Sequence, residues 1–490
     1  MFDSPNPMVT AIMPTTASRL KYLPGALQVF FSQTYPNKEL VVVSEDSIGE
    51  SIPDHPQIRF IKIDGPSTVG KKRNIACDAS RGEVIMHVDD DDWSSPTRMA
   101  EQLAVLKRHE IPVTGYNSMV FYRESTGEAH EYTNDDRRFC CGTSLMYLRG
   151  YQRAHPFLDL NVGEDVNFVY RVPNGSVLAV PAGRNCVARD HDDNTSTREV
   201  KPIGDFWKQV DAAGIADLIR PVRRHVVLSL LTWNTRDVSL ESLAALKKEA
   251  HRFRCLGHEV SIVVVDNGST DGLQTELKKH RDVKVVLNKT NRGSSVARNQ
   301  IIDHAKKLKA DYLFFNDGDI RIVNGSVVAF FHYLEENPGV GHLGAWSETY
   351  TDKPEKMTPY LPSLAGWRIT RNRDIFWSQY SLTRMSCFDV AVFPTHGAFG
   401  EPAWSAEDNF IGYEFELAGI VNMVVHGLVY GHFHAHGSIR ECVKAGIDVQ
   451  AKAKERIRLF IERFEPYPQF KDKLDVYRNM TIPEDHFRER

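Results

Sequence analysis

Short apolar runs alternate along this chain with longer stretches of helical character. Val9–Met13, Glu39–Val43, Arg59–Ile63 and Glu83–Val88 read as strands, with Leu23–Gln33 and Gly70–Ala79 as helices. Strands separated by helices predict βαβ units around a mainly parallel sheet. The same order returns after Arg220. His225–Thr232, Val260–Val265, Lys284–Leu287 and Tyr312–Phe315 read as strands, and Val238–His251 and Ser295–Leu308 as helices. Three of these strands empty into acidic turns: Asp89-Asp90-Asp91-Asp92-Trp93, Asp266-Asn267-Gly268-Ser269 and Asn316-Asp317-Gly318-Asp319. Nearly one offset separates Asn74 from Asn299 and Asp89 from Asp317, which predicts duplication at domain scale. The pattern breaks at Asp217–Arg224, around Pro221 and three arginines. The expected division is therefore 1–220, 221–440 and a tail over 441–490, in which Val443–Phe464 reads as one long amphipathic helix followed by a polar stretch.

Composition narrows the class. A chain of 490 residues with 42% hydrophobic and 25% charged positions is globular, which excludes disordered and fibrous proteins. No apolar run approaches the roughly 20 residues that cross a bilayer. Residues 1–10 lack the basic and apolar regions of a signal peptide. Seven cysteines without a CxxC pair fit reduced thiols better than a disulfide framework or a zinc site. These features predict a cytoplasmic protein without a membrane span. The net charge of −4 counts weakly against a nucleic-acid partner.

The acidic turns carry the candidate chemistry. In an open α/β sheet, ligands bind at the carboxyl ends of the strands, where these turns fall. Two carboxylates one residue apart can share a hard divalent cation with the oxygens of a diphosphate, and the cation then stabilises charge on a leaving phosphate. A solvated acidic loop is the plainer alternative for either turn alone.

Several segments together resemble family 2 glycosyltransferases of the GT-A fold. In the first half these are Ala11-Ile12-Met13-Pro14-Thr15, Gln33-Thr34-Tyr35-Pro36-Asn37, Gly70-x-x-Arg73-Asn74 and Asp89-Asp90-Asp91-Asp92-Trp93-x-x-Pro96. In the second they are Asp266-Asn267-Gly268-Ser269-Thr270-Asp271-Gly272 and Arg292-Gly293 with Ala297-Arg298-Asn299. The resemblance covers roughly residues 8–200 and 225–440. It implies two tandem GT-A domains, Rossmann-like with a mainly parallel sheet, plus a C-terminal helix. It also implies a nucleotide-sugar donor, usually a UDP-sugar, with Mn²⁺ or Mg²⁺ on the diphosphate.

Site residues are assigned from the resemblance position by position. Pro14 and Thr15 would line the nucleobase pocket, Arg73 would lie near the donor, Asp89 would contact the ribose or metal, and Asp91 would hold the metal. The family's nucleobase-contacting Asp is Ser44 here, with Glu45 and Asp46 beside it, whereas the second half keeps Asp266. Arg298 and Asp317 take the matching donor positions, with Asp317 and Asp319 as metal ligands. An inverting transferase needs a carboxylate to accept the acceptor's proton. Family members place an acidic pair downstream, here Glu164-Asp165 and Glu407-Asp408, which makes Asp165 and Asp408 the expected bases and Glu164 and Glu407 acceptor contacts. A helix start favoured by the dipole explains the same acids without catalysis. His191 and a histidine among His432, His434 and His436 are expected as further metal ligands. One offset relates both Asp165 to Asp408 and His191 to His434, which favours His434. Trp367, in the aromatic and arginine-rich stretch Trp367–Trp377, is either an acceptor contact or core, and the stretch Arg137–Ser144 in the first half is expected to shape the acceptor site. The expected activity is hexosyl or pentosyl transfer, inverting in the first domain, by two modules acting in sequence on a glycan. The alternatives are transfer to hydroxylated bases of phage DNA, or one catalytic module beside an acceptor-binding one.

Overall fold

The computed structural model describes residues 2, 4–171, 173, 175–194, 206–346, 350–376, 378–400, 406–432 and 448–479. The chain divides into two compact units, Met1–Val222 with Cys255–Gly257, and Arg223–Arg254 with His258–Arg490.

In the first unit seven strands form one sheet in the order Ile58–Lys62, Lys38–Ser44, Val9–Pro14, Val84–His87, Met146–Leu148, Val113–Tyr116 and Val177–Val180. The first four are parallel. Met146–Leu148 runs antiparallel to both neighbours, and the last pair is parallel again. Such strands are buried on both faces, which is why they read as apolar runs rather than alternating ones. Ile12, Val41, Val43 and Ile85 pack one face against Ala76 and Cys77 of the helix Val69–Ala79.

The second unit repeats this order. Lys284–Leu287, Glu259–Asp266, His225–Thr232 and Tyr312–Asn316 are parallel, Tyr380–Arg384 is antiparallel, and Val340–Ala345 and Val421–Val425 pair in parallel, with Ile369–Arg371 added at the edge. The duplication is thus one of topology. A smaller sheet is also shared. In the first unit Trp93–Ser94 pairs antiparallel with Cys186–Asp190, which pairs in parallel with Ser118–Arg123. In the second, Ile320–Arg321, Tyr430–His432 and Tyr350–Thr351 are joined the same way. These short strands clamp the backbone just after each acidic turn.

Beyond the second sheet, Val449–Phe464 is a helix whose N-cap Asp448 accepts from Ala451 N at 2.9 Å. The expected stretch 443–447 lies outside the described residues. The segment after this helix is not simply polar: a break at Pro468 leads into a second helix, Lys471–Arg478. Its amphipathic pattern buries Leu474, and with Phe460, Phe464 and Phe470 this residue packs on Phe410 and Tyr413 of the helix Glu407–Leu417. The six cysteines among the described residues are buried, and none of them forms a disulfide. No described helix is long and apolar enough to cross a membrane.

Candidate active site

At the carboxyl ends of the central strands of the first unit lies a cavity of about 430 Å³. It gathers side chains far apart in sequence, among them Pro14, Thr15, Arg73, Asp89, Asp91, Glu164 and Asp165. The helix Val69–Ala79 supplies Arg73, and Gly70 lets that helix come close. A Cβ there would stand 1.9 Å from the Leu158 carbonyl oxygen and 3.3 Å from Glu164 Cβ. Glu164 and Asp165 open the helix Glu164–Tyr170 after Gly163, whose φ of 83° is the left-handed conformation glycine adopts freely. Gly142 gives Asp165 its room, since a Cβ there would lie 1.8 Å from Asp165 Oδ2.

Arg73 joins the two ends of this site. One nitrogen donates to Glu164 Oε1 and another lies 3.4 Å from Asp89 Oδ1. Burial raises the Glu164 carboxyl to about 7, although the Arg73 charge opposes the rise. Asp90 is raised to about 6, again chiefly by burial. Burial would also raise Asp91, but a hydrogen bond with His191 and the charge of Arg19 hold it below its ordinary value. His191 Nε2 lies 2.9 Å from Asp91 Oδ2, and its ring stacks on Tyr22 at 4.2 Å. Glu45 and Asp46 do not line the cavity. Glu45 pairs with Lys72, and Asp46 accepts from Ala17 N at 2.6 Å, fixing the turn that carries Arg19.

The second unit repeats the arginine bridge. Arg298 NH2 lies 2.9 Å from Asp317 Oδ2, and NH1 lies 3.7 Å from Glu407 Oε1. Glu407 and Asp408 open the helix Glu407–Leu417 after Ala406, which has φ 65°. Burial raises Asp408 to about 7, Arg298 opposing and Glu407 reinforcing the rise. Its Oδ1 is buried without a hydrogen-bond partner. Asp266 is wholly buried. Its Oδ1 organises the following turn through Ser269 N at 2.9 Å and Gln274 Nε2 at 2.6 Å, while Oδ2 is buried with no partner. His434 lies outside the described residues. Among the described residues, His432 reaches the acidic turn, with Nε2 3.5 Å from Asp319 Oδ2.

The acceptor-side expectations divide. Trp367 is half-buried beside Gly427, in the connection to the edge strand Ile369–Arg371. Phe376 is core, stacked on His342 at 4.0 Å, and Trp377 lies outside the described residues. In the first unit Cys140 and Cys141 are buried, and Ser144 Oγ ties Tyr116 N at 2.7 Å, a structural role.

Two contributors had no sequence signal. Arg19, from the short turn Ala17–Arg19, forms ion pairs with Asp90 and Asp91. Arg456, from the helix Val449–Phe464, donates to Glu407 Oε2 at 2.9 Å. In the second unit Arg298 holds Asp317, and Asp319 with the His432 imidazole still offers a divalent cation an oxygen and a nitrogen donor. The first unit as arranged does not, because a guanidinium already engages Asp90 and Asp91.

Two duplicated α/β units, each with an arginine bridging a strand-end aspartate and a helix-start glutamate, define a tandem GT-A protein. The family model described as glycosyl transferase family 2 matches residues 10–172 and again 231–393, and the chain belongs to that family. No curated protein sequence matches it. Among solved structures, residues 1–349 of TarS from S. aureus in complex with UDP are 19% identical, with a TM-score of 0.32; the match covers 37% of this chain and 60% of that one. A complex of the same protein with UDP-GlcNAc is 17% identical over 51% of this chain and 70% of that one, TM-score 0.33. The mannosyltransferase PcManGT from Pyrobaculum calidifontis, in complex with GDP-Man and Mn²⁺, is 18% identical over 52% of this chain and 69% of that one, TM-score 0.35.

Proposed function

We propose that both units are active transferases that move a sugar from a nucleotide-sugar donor, a UDP-sugar in at least one of them, to a hydroxyl of a growing glycan, in sequence. The observation that carries this reading is the repeated bridge, Arg73 between Asp89 and Glu164 and Arg298 between Asp317 and Glu407. The same pairing at the same strand end and helix start in both units supports the same chemistry in both.

In each unit the acceptor oxygen attacks the sugar's anomeric carbon, its proton passes to Asp165 or Asp408, and the bond to the nucleoside diphosphate breaks, with inversion in the first unit. A carboxyl near neutrality is well matched to that proton transfer, and Asp408 is held there. Arg73 and Arg298 present a fixed positive charge beside the leaving phosphates. The unpartnered Asp266 Oδ2 supports nucleobase recognition in the second unit. Asp317, Asp319 and a histidine would hold Mn²⁺ or Mg²⁺ there, which supplies Lewis-acid stabilisation of the leaving diphosphate.

The test is a donor screen by released nucleoside diphosphate for the wild type, Asp91→Ala and Asp319→Ala. Loss of a different donor in each variant is expected. If one variant loses all turnover, two active units are excluded.

A further inference from the structure

Each acidic turn has an arginine on its first carboxylate, Arg73 on Asp89 and Arg298 on Asp317, and the two differ in what neutralises the positions that follow. In the second unit the middle residue is Gly318, seated against hydroxyls. A Cβ there would stand 2.8 Å from Ser239 Oγ and from Thr235 Oγ1, and Ser239 Oγ donates to the Gly318 carbonyl at 3.2 Å. In the first unit the middle residue is Asp90, and Arg19 is built into the turn. Its Nε and NH2 each lie 2.7 Å from Asp90 Oδ1, NH2 also pairs with Asp91 Oδ2, and NH1 donates to the Asp193 carbonyl at 3.0 Å. Thr15 donates to the other Asp90 oxygen, and His191 shares Asp91 Oδ2. The Arg19 side chain is 13% exposed and lines the cavity beside Thr15 and Arg73.

A divalent ion between these carboxylates would have to expel a guanidinium that already makes charge-assisted bonds to both. Nothing in the fold forces this arrangement, since the second unit builds the same turn from a glycine and hydroxyls. A guanidinium also suits the remaining task, because one N–H of NH1 is left beyond these bonds to meet a phosphate oxygen and the group carries its charge at any working pH.

We propose that Arg19 takes the place of the divalent cation in the first unit, so that this unit binds a nucleoside diphosphate without metal while the second requires one. The inference rests on the nucleotide-sugar reading above. Arg19 is then a donor-binding residue, and the chain's metal dependence belongs to one half.

The experiment is calorimetric binding of UDP and of GDP to the full chain, in EDTA and in Mn²⁺, for the wild type, Arg19→Ala and Arg19→Lys. Wild type is expected to bind one of the nucleotides in EDTA. Arg19→Ala should weaken that binding by about 10- to 100-fold, the usual loss for a charged hydrogen bond, and Arg19→Lys should restore much of it. Counting bound Mn²⁺ by electron paramagnetic resonance in the presence of nucleotide gives a second readout. One ion per wild-type chain is expected, and a second in Arg19→Ala, whose freed aspartates become available. Gaining a site also shows that this variant is folded. Nucleotide binding that always needs Mn²⁺, EDTA-resistant binding indifferent to Arg19→Ala, or two ions on the wild type would each overturn the inference and leave the nucleotide reading standing. No binding of either nucleotide under any condition overturns both.

Discussion

Arg456 reaches Glu407 across 49 positions of sequence, with NH1 2.9 Å from Oε2. The arginine is fully buried, and its guanidinium lies 5.5 Å from the Phe399 ring centre. The helix Val449–Phe464 therefore completes the acidic pair of the second unit. Truncating one partner of a buried pair leaves the other uncompensated, at a cost of about 3–5 kcal/mol. Arg456→Ala should lower the melting temperature and impair transfer by the second unit, with the first unit's transfer unchanged. Equal loss in both activities would show a general folding defect instead.

The assignment of Asp165 and Asp408 as bases predicts a separation of binding from turnover. Asp408→Asn should cut the second transfer by about 10²–10⁴, and Asp165→Asn the first, each with donor affinity changed only a few-fold. If donor binding disappears with either substitution, that residue holds the donor and is not the base.

Burial raises Asp408 to about 7, and this fixes the sign of two pH effects. A base must be deprotonated, so the second transfer should fall about tenfold per unit below pH 7 and level off above it. Stability runs the other way. The folded chain keeps this proton, and that of Glu164, across a range where the unfolded chain has lost it. Their contribution is full below the ordinary carboxylate pKa and is lost as pH rises through about 7. Melting curves between pH 4 and 8 should show a shallower slope in Asp408→Asn, whose amide cannot lose a proton.

Gly142 and Ala406 make a backbone test. A Cβ at Gly142 meets the Asp165 carboxylate at 1.8 Å, so Gly142→Ala should disable the first transfer selectively. Ala406 holds φ 65°, a conformation that costs an L-residue about 1–2 kcal/mol and glycine little. Ala406→Gly should raise stability, as measured by denaturant melts, or leave it level. A clear fall would mean that the methyl's packing outweighs the strain.

What the sequence revealed and what it hid have physical causes. The parallel strands were legible because burial on both faces makes them apolar throughout, and the bounds of His225–Thr232 and Lys284–Leu287 agree with the structure. The antiparallel strand Tyr380–Arg384 was hidden by its polar residues. Ser381 and Thr383 are fully buried there, and Thr383 Oγ1 lies 2.8 Å from His342 Nδ1. Arg73, Asp89 and Glu164 could be picked out by motif and repeat. Arg19 and Arg456 could not, because each sits in an ordinary turn or helix and gains its meaning only from a partner remote in sequence. The repeat offset favours His434, which lies outside the described residues, and it gave no notice of His432, whose Nε2 stands 3.5 Å from Asp319.

The dependence of Glu407 on Arg456 has a consequence for how the two halves come into being. Residues emerge from the ribosome in order, and domains generally fold as they appear. Among the described residues, the cavity of the first unit draws on none beyond Asn194, so all of its lining has been synthesised while most of the second unit is still being translated. The second must wait until Arg456 and the aromatic residues around it have cleared the exit tunnel. A nascent chain stalled before that point would carry a first cavity with its lining complete and a second unit still missing its brace.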